Sequence, residues 1–203
     1  MVDQPLIIGL TGNIATGKST VLHYLAAKGA HIIDADRLTH GAMAQDGPAY
    51  AAIVAEFGVE VLQPDGAINR PALGKIVFAD GAALQRLEQI VHPTVFALVQ
   101  AEIAASPASV IIIEAIKLLE ARRLLTLCHQ VWVVTASPAT QLRRLHEDRN
   151  MDQSEAQRRM AAQSSQAEKV KQADRIIENN GTPQALQAQL DRIWVELEGK
   201  MTR

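Results

Sequence analysis

The chain has a single cysteine, Cys128, which excludes an internal disulfide and a cysteine-built zinc site. It stands just before the apolar run VWVV and reads as a small buried hydrophobe, not a nucleophile. Charge of one sign is missing too: 20 Lys and Arg against 22 Asp and Glu leave a net charge of -2. That balance offers no basic surface to nucleic acid or to an anionic membrane. Aromatic residues make up only 3%, and Trp132 and Trp194 lie on apolar periodic faces, as core residues rather than stacking platforms. No apolar run approaches the ~20 residues of a membrane span. The start, MVDQP, lacks a basic region and LIIGL is too short for a secretory core, so a cytoplasmic protein is expected. No repeat or low-complexity tract is visible.

What is present is an ordinary globular composition, 48% hydrophobic and 21% charged over 203 residues, enough for one compact domain with an insertion. PLIIGL, HIIDAD, VIIIEAI (110–116) and QVWVVTA (130–136) are short apolar runs of the kind found in buried parallel strands. DRIIENNG reads as a last strand ending in a turn. Helical segments alternate with these strands, which predicts an α/β fold with a central parallel sheet flanked by helices. Between the second strand and VIIIEAI lies a long helical stretch, more than a simple crossover needs, and it is expected to be an inserted subdomain. Residues 137–173 are charged, helical and rich in arginine. PQALQAQLDRIWVELEG predicts a closing amphipathic helix with Leu186, Leu190, Ile193 and Leu197 on one side.

The segment TGNIATGKST, residues 11–20, carries the clearest chemistry. Glycine, four residues, then Gly-Lys-Ser between a strand and a helix is the pattern of a P-loop. Gly12 and Gly17 allow turns that a Cβ would obstruct. The amides of Asn13, Ile14, Ala15 and Thr16 then form an anion nest, reinforced by the helix N-terminus. Lys18 is expected at the β- and γ-phosphates, Ser19 on Mg²⁺ and Thr20 at the α-phosphate, so ATP and Mg²⁺ are the expected cofactors. The loop alone does not name the acceptor, since GTPases, kinases and motor ATPases share it.

Acids at strand ends narrow the reaction. Asp34 and Asp36 follow the second strand, and carboxyl ends of parallel strands face the ligand crevice. Asp34 is placed to accept an acceptor hydroxyl's proton or aim that hydroxyl, with a helix N-cap as the plain alternative for either acid. Glu114 ends VIIIE, where a partner for the metal site is expected. Glu120 and Lys117 read equally well as a solvated helix start. Arg143, Arg144 and Arg149 can close over a triphosphate, or pair with Glu147 and Asp148 on a solvated face. His92 before Pro93 reads as a hydrogen-bonded helix breaker.

In order and spacing, GLTGNIATGKSTV, IIDADRLTH, LQPDGAINRPALGKIVF, LEQIVHP, TQLRRL, DRNMDQSEAQRRMAAQ and ADRIIENNGT resemble the dephospho-coenzyme A kinase family over nearly the whole chain. The resemblance implies a P-loop kinase core (1–36, 108–139 and 172–203), a helical insert at 37–107 that binds the CoA moiety, and a lid at 140–171. It implies transfer of the γ-phosphate of MgATP to the ribose 3′-hydroxyl of dephospho-CoA; no nucleic-acid or membrane partner is expected, and of the open oligomeric states a monomer is favoured. Asp34 matches the family's catalytic aspartate. Arg149 is the better match for the lid arginine, with Arg144 as the alternative. Asn179, Asn180 and Gly181 match a turn near the adenine. Arg70, His92 and Pro93, with Asp36 and Glu114, fall on the acceptor side. Two departures stand out. Asn13 and Ala15-Thr16 replace a glycine and a Gly-Ser pair, and Asn13 is expected to take the left-handed backbone angles that keep the nest. EAIKLLE stands where many members have Asp-x-Pro-Leu-Leu-x-Glu. The rivals are another P-loop small-molecule kinase, acting on a nucleoside, a nucleoside monophosphate or shikimate, and a guanine-reading switch. The switch would need an Asn-Lys-x-Asp stretch, which the sequence lacks.

Overall fold

The computed structural model describes residues 4–201. Its frame is a sheet in the order β2-β3-β1-β4-β5. The strands are β1 (Leu6–Thr11), β2 (His31–Asp34), β3 (Val110–Glu114), β4 (Gln130–Thr135) and β5 (Arg175–Glu178). β1 pairs in parallel with both β3 and β4, and β4 with β5. The central strands are apolar on both faces because helices cover both; every residue of β3 is buried.

The helices are α1 (Lys18–Ala27), α2 (Ala35–Ala42), α3 (Tyr50–Phe57), α4 (Arg70–Ala79), α5 (Gly81–Ala105), α6 (Arg122–Leu125), α7 (Pro138–Arg149), α8 (Gln153–Ala161), α9 (Gln166–Lys171) and α10 (Pro183–Met201). The chain divides into two compact units, one made of 1–33 with 107–203 and the other of 34–106.

In the first unit, Ile8, Leu10, Ile112, Trp132 and Val134 of the sheet pack with Val21 and Leu25 of α1. Leu186, Leu190, Ile193 and Leu197 of α10 join the same core, at the spacing of one helical face. Each such aliphatic burial contributes about 1.5–3 kcal/mol. Trp132 is fully buried and its indole N–H donates to Gln130 Oε1 at 3.0 Å. Burial pushes the Cys128 thiol up to about 11, so it stays protonated at neutral pH and unsuited to nucleophilic work.

In the second unit, α2 to α5 gather around Ile53, Phe57, Val61, Leu73, Val77 and Val95. Asn69 caps α4, accepting from the Ala72 amide at 3.1 Å, and a proline in the first turn favours helical start angles. Two sequence expectations fail here. His92-Pro93 does not break a helix: Pro93 lies inside the 25-residue α5. Pro93 and Gln89, whose carbonyl loses its amide partner, are both exposed residues, which leaves that carbonyl open to solvent. The Thr94 hydroxyl bonds the next carbonyl, that of Ile90, at 2.9 Å. The second strand also stops earlier than read. It ends at Asp34, and Asp36 lies in the first turn of α2.

Candidate active site

β1 delivers the chain to the loop at Thr11, and α1 takes it up at Lys18. Two glycines are required by space. A Cβ on Gly12 would stand 2.5 Å from the Val134 carbonyl oxygen, and one on Gly17 would stand 2.1 Å from Asn179 Nδ2. Gly17 also has φ +91, which L side chains rarely adopt. Within the loop, the Thr16 hydroxyl donates to the Asn13 carbonyl at 2.8 Å. From β5's exit, Asn179 Nδ2 donates to the Thr16 carbonyl at 2.9 Å. The left-handed residue in the replaced positions is Ala15, at φ 58, and not Asn13 as the sequence led us to expect. Asn13 instead turns its amide outward to the Ser164 carbonyl at 3.1 Å.

The loop floors a cleft of about 630 Å³, lined by Asn13 to Thr20 and by Arg144, Arg149, Arg159, Asn179 and Gly181 among others. That volume suits a nucleotide. The Lys18 ammonium donates to the Gly12 carbonyl at 2.9 Å and lies 3.8 Å from Glu114 Oε1, with both side chains largely buried. Glu114 thus holds the loop's cation at the end of β3. Among the described residues no three His, Cys, Asp or Glu side chains converge on a metal position. Ser19, beside Lys18, lines the cleft, and its hydroxyl would suit Mg²⁺ held mainly by phosphate oxygens, the usual mode for this ion.

The arginines separate by surroundings. Arg143 pairs with Glu147 at 3.0 Å on the exposed side of α7. Arg144 donates to two backbone carbonyls, Ala15 at 3.2 Å and Asn179 at 2.9 Å, and so ties α7 to the loop and to β5. Arg149, the last residue of α7, and Arg159 of α8 both line the cleft. Asn180 does not line it; it is exposed and accepts from the Ser137 amide at 2.6 Å.

Four expected residues belong to the other unit. Asp34 is the N-cap of α2, accepting from the Arg37 amide at 2.8 Å. Asp36 sits in that helix's first turn, Arg70 opens α4 exposed, and His92 is exposed on α5.

The sequence reading missed three polar residues. Gln141 Nε2 donates to the Ile14 carbonyl at 3.0 Å, and Gln163 Oε1 accepts from the Ile14 amide at 2.7 Å; that amide, expected in the nest, is thus taken by a side chain, and the Thr16 amide bonds the Asn13 carbonyl at 3.3 Å. Lys169 is only 2% exposed and donates to the Ile116 carbonyl at 3.2 Å, while the Thr11 hydroxyl bonds the same oxygen at 3.1 Å. Burial holds the Lys169 ammonium below its ordinary range. Each stands in a polar run with nothing local to mark it; the one usable sign was Gln141 in the TQLRRL segment.

Comparison with known proteins decides among the P-loop families. The dephospho-CoA kinase family model matches residues 6–184. The chain belongs to the dephospho-CoA kinase family. A dephospho-CoA kinase of Geobacter sulfurreducens is 44% identical over 193 residues, 94% of this chain and 98% of that protein. The solved dephospho-CoA kinase of Campylobacter jejuni superposes with a TM-score of 0.69 at 26% identity, covering 96% of this chain and 98% of that one. A shikimate kinase from Bacteroides thetaiotaomicron reaches 0.53 at 15% identity over 95% of this chain and 98% of its own, a likeness of fold alone. The dephospho-CoA kinase motifs are thus what distinguish this chain from a kinase of the same architecture.

Proposed function

We propose that this chain transfers the γ-phosphoryl group of MgATP to the ribose 3′-hydroxyl of dephospho-CoA, giving CoA and ADP in the last step of coenzyme A synthesis. The observation that carries the reading is a P-loop flooring a nucleotide-sized, arginine-edged cleft in a chain that matches the dephospho-CoA kinase family over residues 6–184. In the reaction the bond from the γ-phosphorus to the ADP oxygen breaks and the bond to the ribose oxygen forms. The hydroxyl proton leaves that oxygen.

The loop amides and Lys18 hold the β- and γ-phosphates, and Lys18 follows the γ-phosphoryl as its charge spreads. Leaving the Gly12 carbonyl and Glu114 for the phosphates is a short move, since Lys18 already lines the cleft. Mg²⁺, held by Ser19 and the phosphate oxygens, supplies further neutralisation of that charge. Arg149 is the lid arginine that meets the transferring group, because Arg144 is committed to the Ala15 and Asn179 carbonyls. Asp34 aims the acceptor hydroxyl and takes its proton; its place at the C-terminal end of β2 supports this role. The adenine side of the cleft is given by Asn179 and Gly181. Residues 37–107 bind the acceptor and 140–171 form the lid.

Mass measurement of the products of ATP and dephospho-CoA tests the reading. The expected result is a gain of one phosphoryl on the 3′-hydroxyl, with ATP consumption dependent on the acceptor. Transfer to shikimate or a nucleoside in preference to dephospho-CoA would replace the reading by another P-loop kinase. Acceptor-independent hydrolysis would replace it by a nucleotide switch.

A further inference from the structure

We infer that Gln141 and Gln163 are positioning residues that hold the two peptide groups flanking Ile14 and so keep the phosphate loop in its binding shape. The inference rests on the loop being the phosphate site of the proposed reaction. Gln141 comes from α7 and Gln163 from just beyond the end of α8. Gln141 donates to the Ile14 carbonyl at 3.0 Å while the Ile14 amide donates to Gln163 at 2.7 Å, so both polar groups of one loop residue are taken by lid side chains. Gln141 is 5% exposed and has no room to serve solvent instead.

The Ile14 side chain is held as well. Leu145, Met151 and Ala156 form a small apolar cluster of α7 and α8, and Ile14 and Ala15 pack against it. The neighbouring Asn13 amide bonds the Ser164 carbonyl at 3.1 Å, next in sequence to Gln163. The apex of the loop is therefore seated in a socket made by residues 141–164, and Arg144 adds a bond to Ala15. A nest built from backbone amides binds phosphate only if the loop already holds its shape, and the Ile14 N–H, given to Gln163, is a tether of that shape and not one of the amides offered to phosphate. Alanine and threonine in the loop leave fewer glycines to choose that shape, and the two glutamines fix it from outside. ATP and the lid then share one element, because what displaces the loop apex also disturbs α7 and the end of α8.

The test is Gln163→Leu, read by ATP calorimetry without acceptor, steady-state kinetics and hydrogen exchange resolved at Ile14. Loss of one such bond weakens ATP binding about five- to ten-fold and raises KM for ATP by the same factor, with kcat unchanged because the loop still binds ground and transition states alike. The Ile14 amide, protected in the nucleotide-free wild type, exchanges freely in the variant, while Tm stays near the wild-type value. A folded variant with wild-type ATP affinity would overturn the inference. So would an Ile14 amide that is unprotected in the nucleotide-free wild type, a result that needs no variant to fold. Failure to phosphorylate dephospho-CoA with these binding results intact would remove the kinase reading and leave the socket standing.

Discussion

Asp34 carries two duties that one residue type can separate. As an N-cap its carboxylate accepts the Arg37 amide at 2.8 Å, and in the proposed reaction the same group aims the acceptor hydroxyl. Asparagine caps about as well as aspartate but has no charge to take a proton. Asp34→Asn is therefore expected to keep the wild-type urea midpoint while kcat falls by more than about ten-fold. Asp34→Ala loses the cap too and should be about 1 kcal/mol less stable. Equal stability of the two variants would mean that the cap contributes nothing to the fold. Ala15 poses the opposite problem, a residue that fits its chemistry but not its backbone. At φ 58 its left-handed strain costs about 1–2 kcal/mol, against about 0.4 kcal/mol gained by a half-buried methyl beside the lid cluster. Strain outweighs the contact, but the added freedom of glycine in the unfolded chain offsets about 0.4–1 kcal/mol, so Ala15→Gly should change stability in urea unfolding by no more than about 1 kcal/mol, on the stabilising side. The sequence pointed to Asn13 as the left-handed position because asparagine tolerates that region; what holds these residues, the Leu145 cluster against Ala15 and the Ser164 carbonyl on Asn13, lies far along the chain.

Elements were legible where hydrophobic period and length agreed. The strand runs around Ile8, Ile112 and Val133, and the α10 face of Leu186, Leu190, Ile193 and Leu197, show in the sequence because burial writes itself into residue type, as unbroken apolar runs in the strands and at every third or fourth position in the helix. What stayed hidden is long-range and polar. The Gln163–Ile14 bond spans 149 residues, and glutamine in a polar stretch looks the same whether it faces water or a loop amide. The break expected at His92-Pro93 failed for a reason of the same kind, since whether proline stops a helix depends on what surrounds the carbonyl it orphans. In α5 that carbonyl is open to solvent, so the cost is absorbed and not removed. A proline inside a helix is about 3 kcal/mol worse than alanine, while losing it frees the unfolded chain by up to about 1 kcal/mol. Pro93→Ala should therefore stabilise the 34–106 unit by about 2 kcal/mol, seen as a higher midpoint in circular dichroism at 222 nm. No change would mean that α5 bears no net cost from the proline ring.

At the scale of the molecule, each unit has its own core, and every residue lining the cleft lies in the unit of 1–33 with 107–203. Both tryptophans, Trp132 and Trp194, belong to that same unit, and residues 34–106 contain none. Tryptophan fluorescence therefore reports the nucleotide unit alone, whereas far-ultraviolet circular dichroism also sees α2 to α5. A ligand stabilises only the structure that must be folded to bind it, by about 2.7 kcal/mol at one hundred times its Kd. MgATP without acceptor is expected to raise the fluorescence midpoint with the logarithm of its concentration and to raise the dichroism midpoint by less, splitting two curves that begin close together. Dephospho-CoA alone, held in the proposed reaction by residues 37–107, should move dichroism more than fluorescence. If both ligands shift both signals equally, the two cores unfold as one cooperative body, and binding at either must be felt by the whole chain.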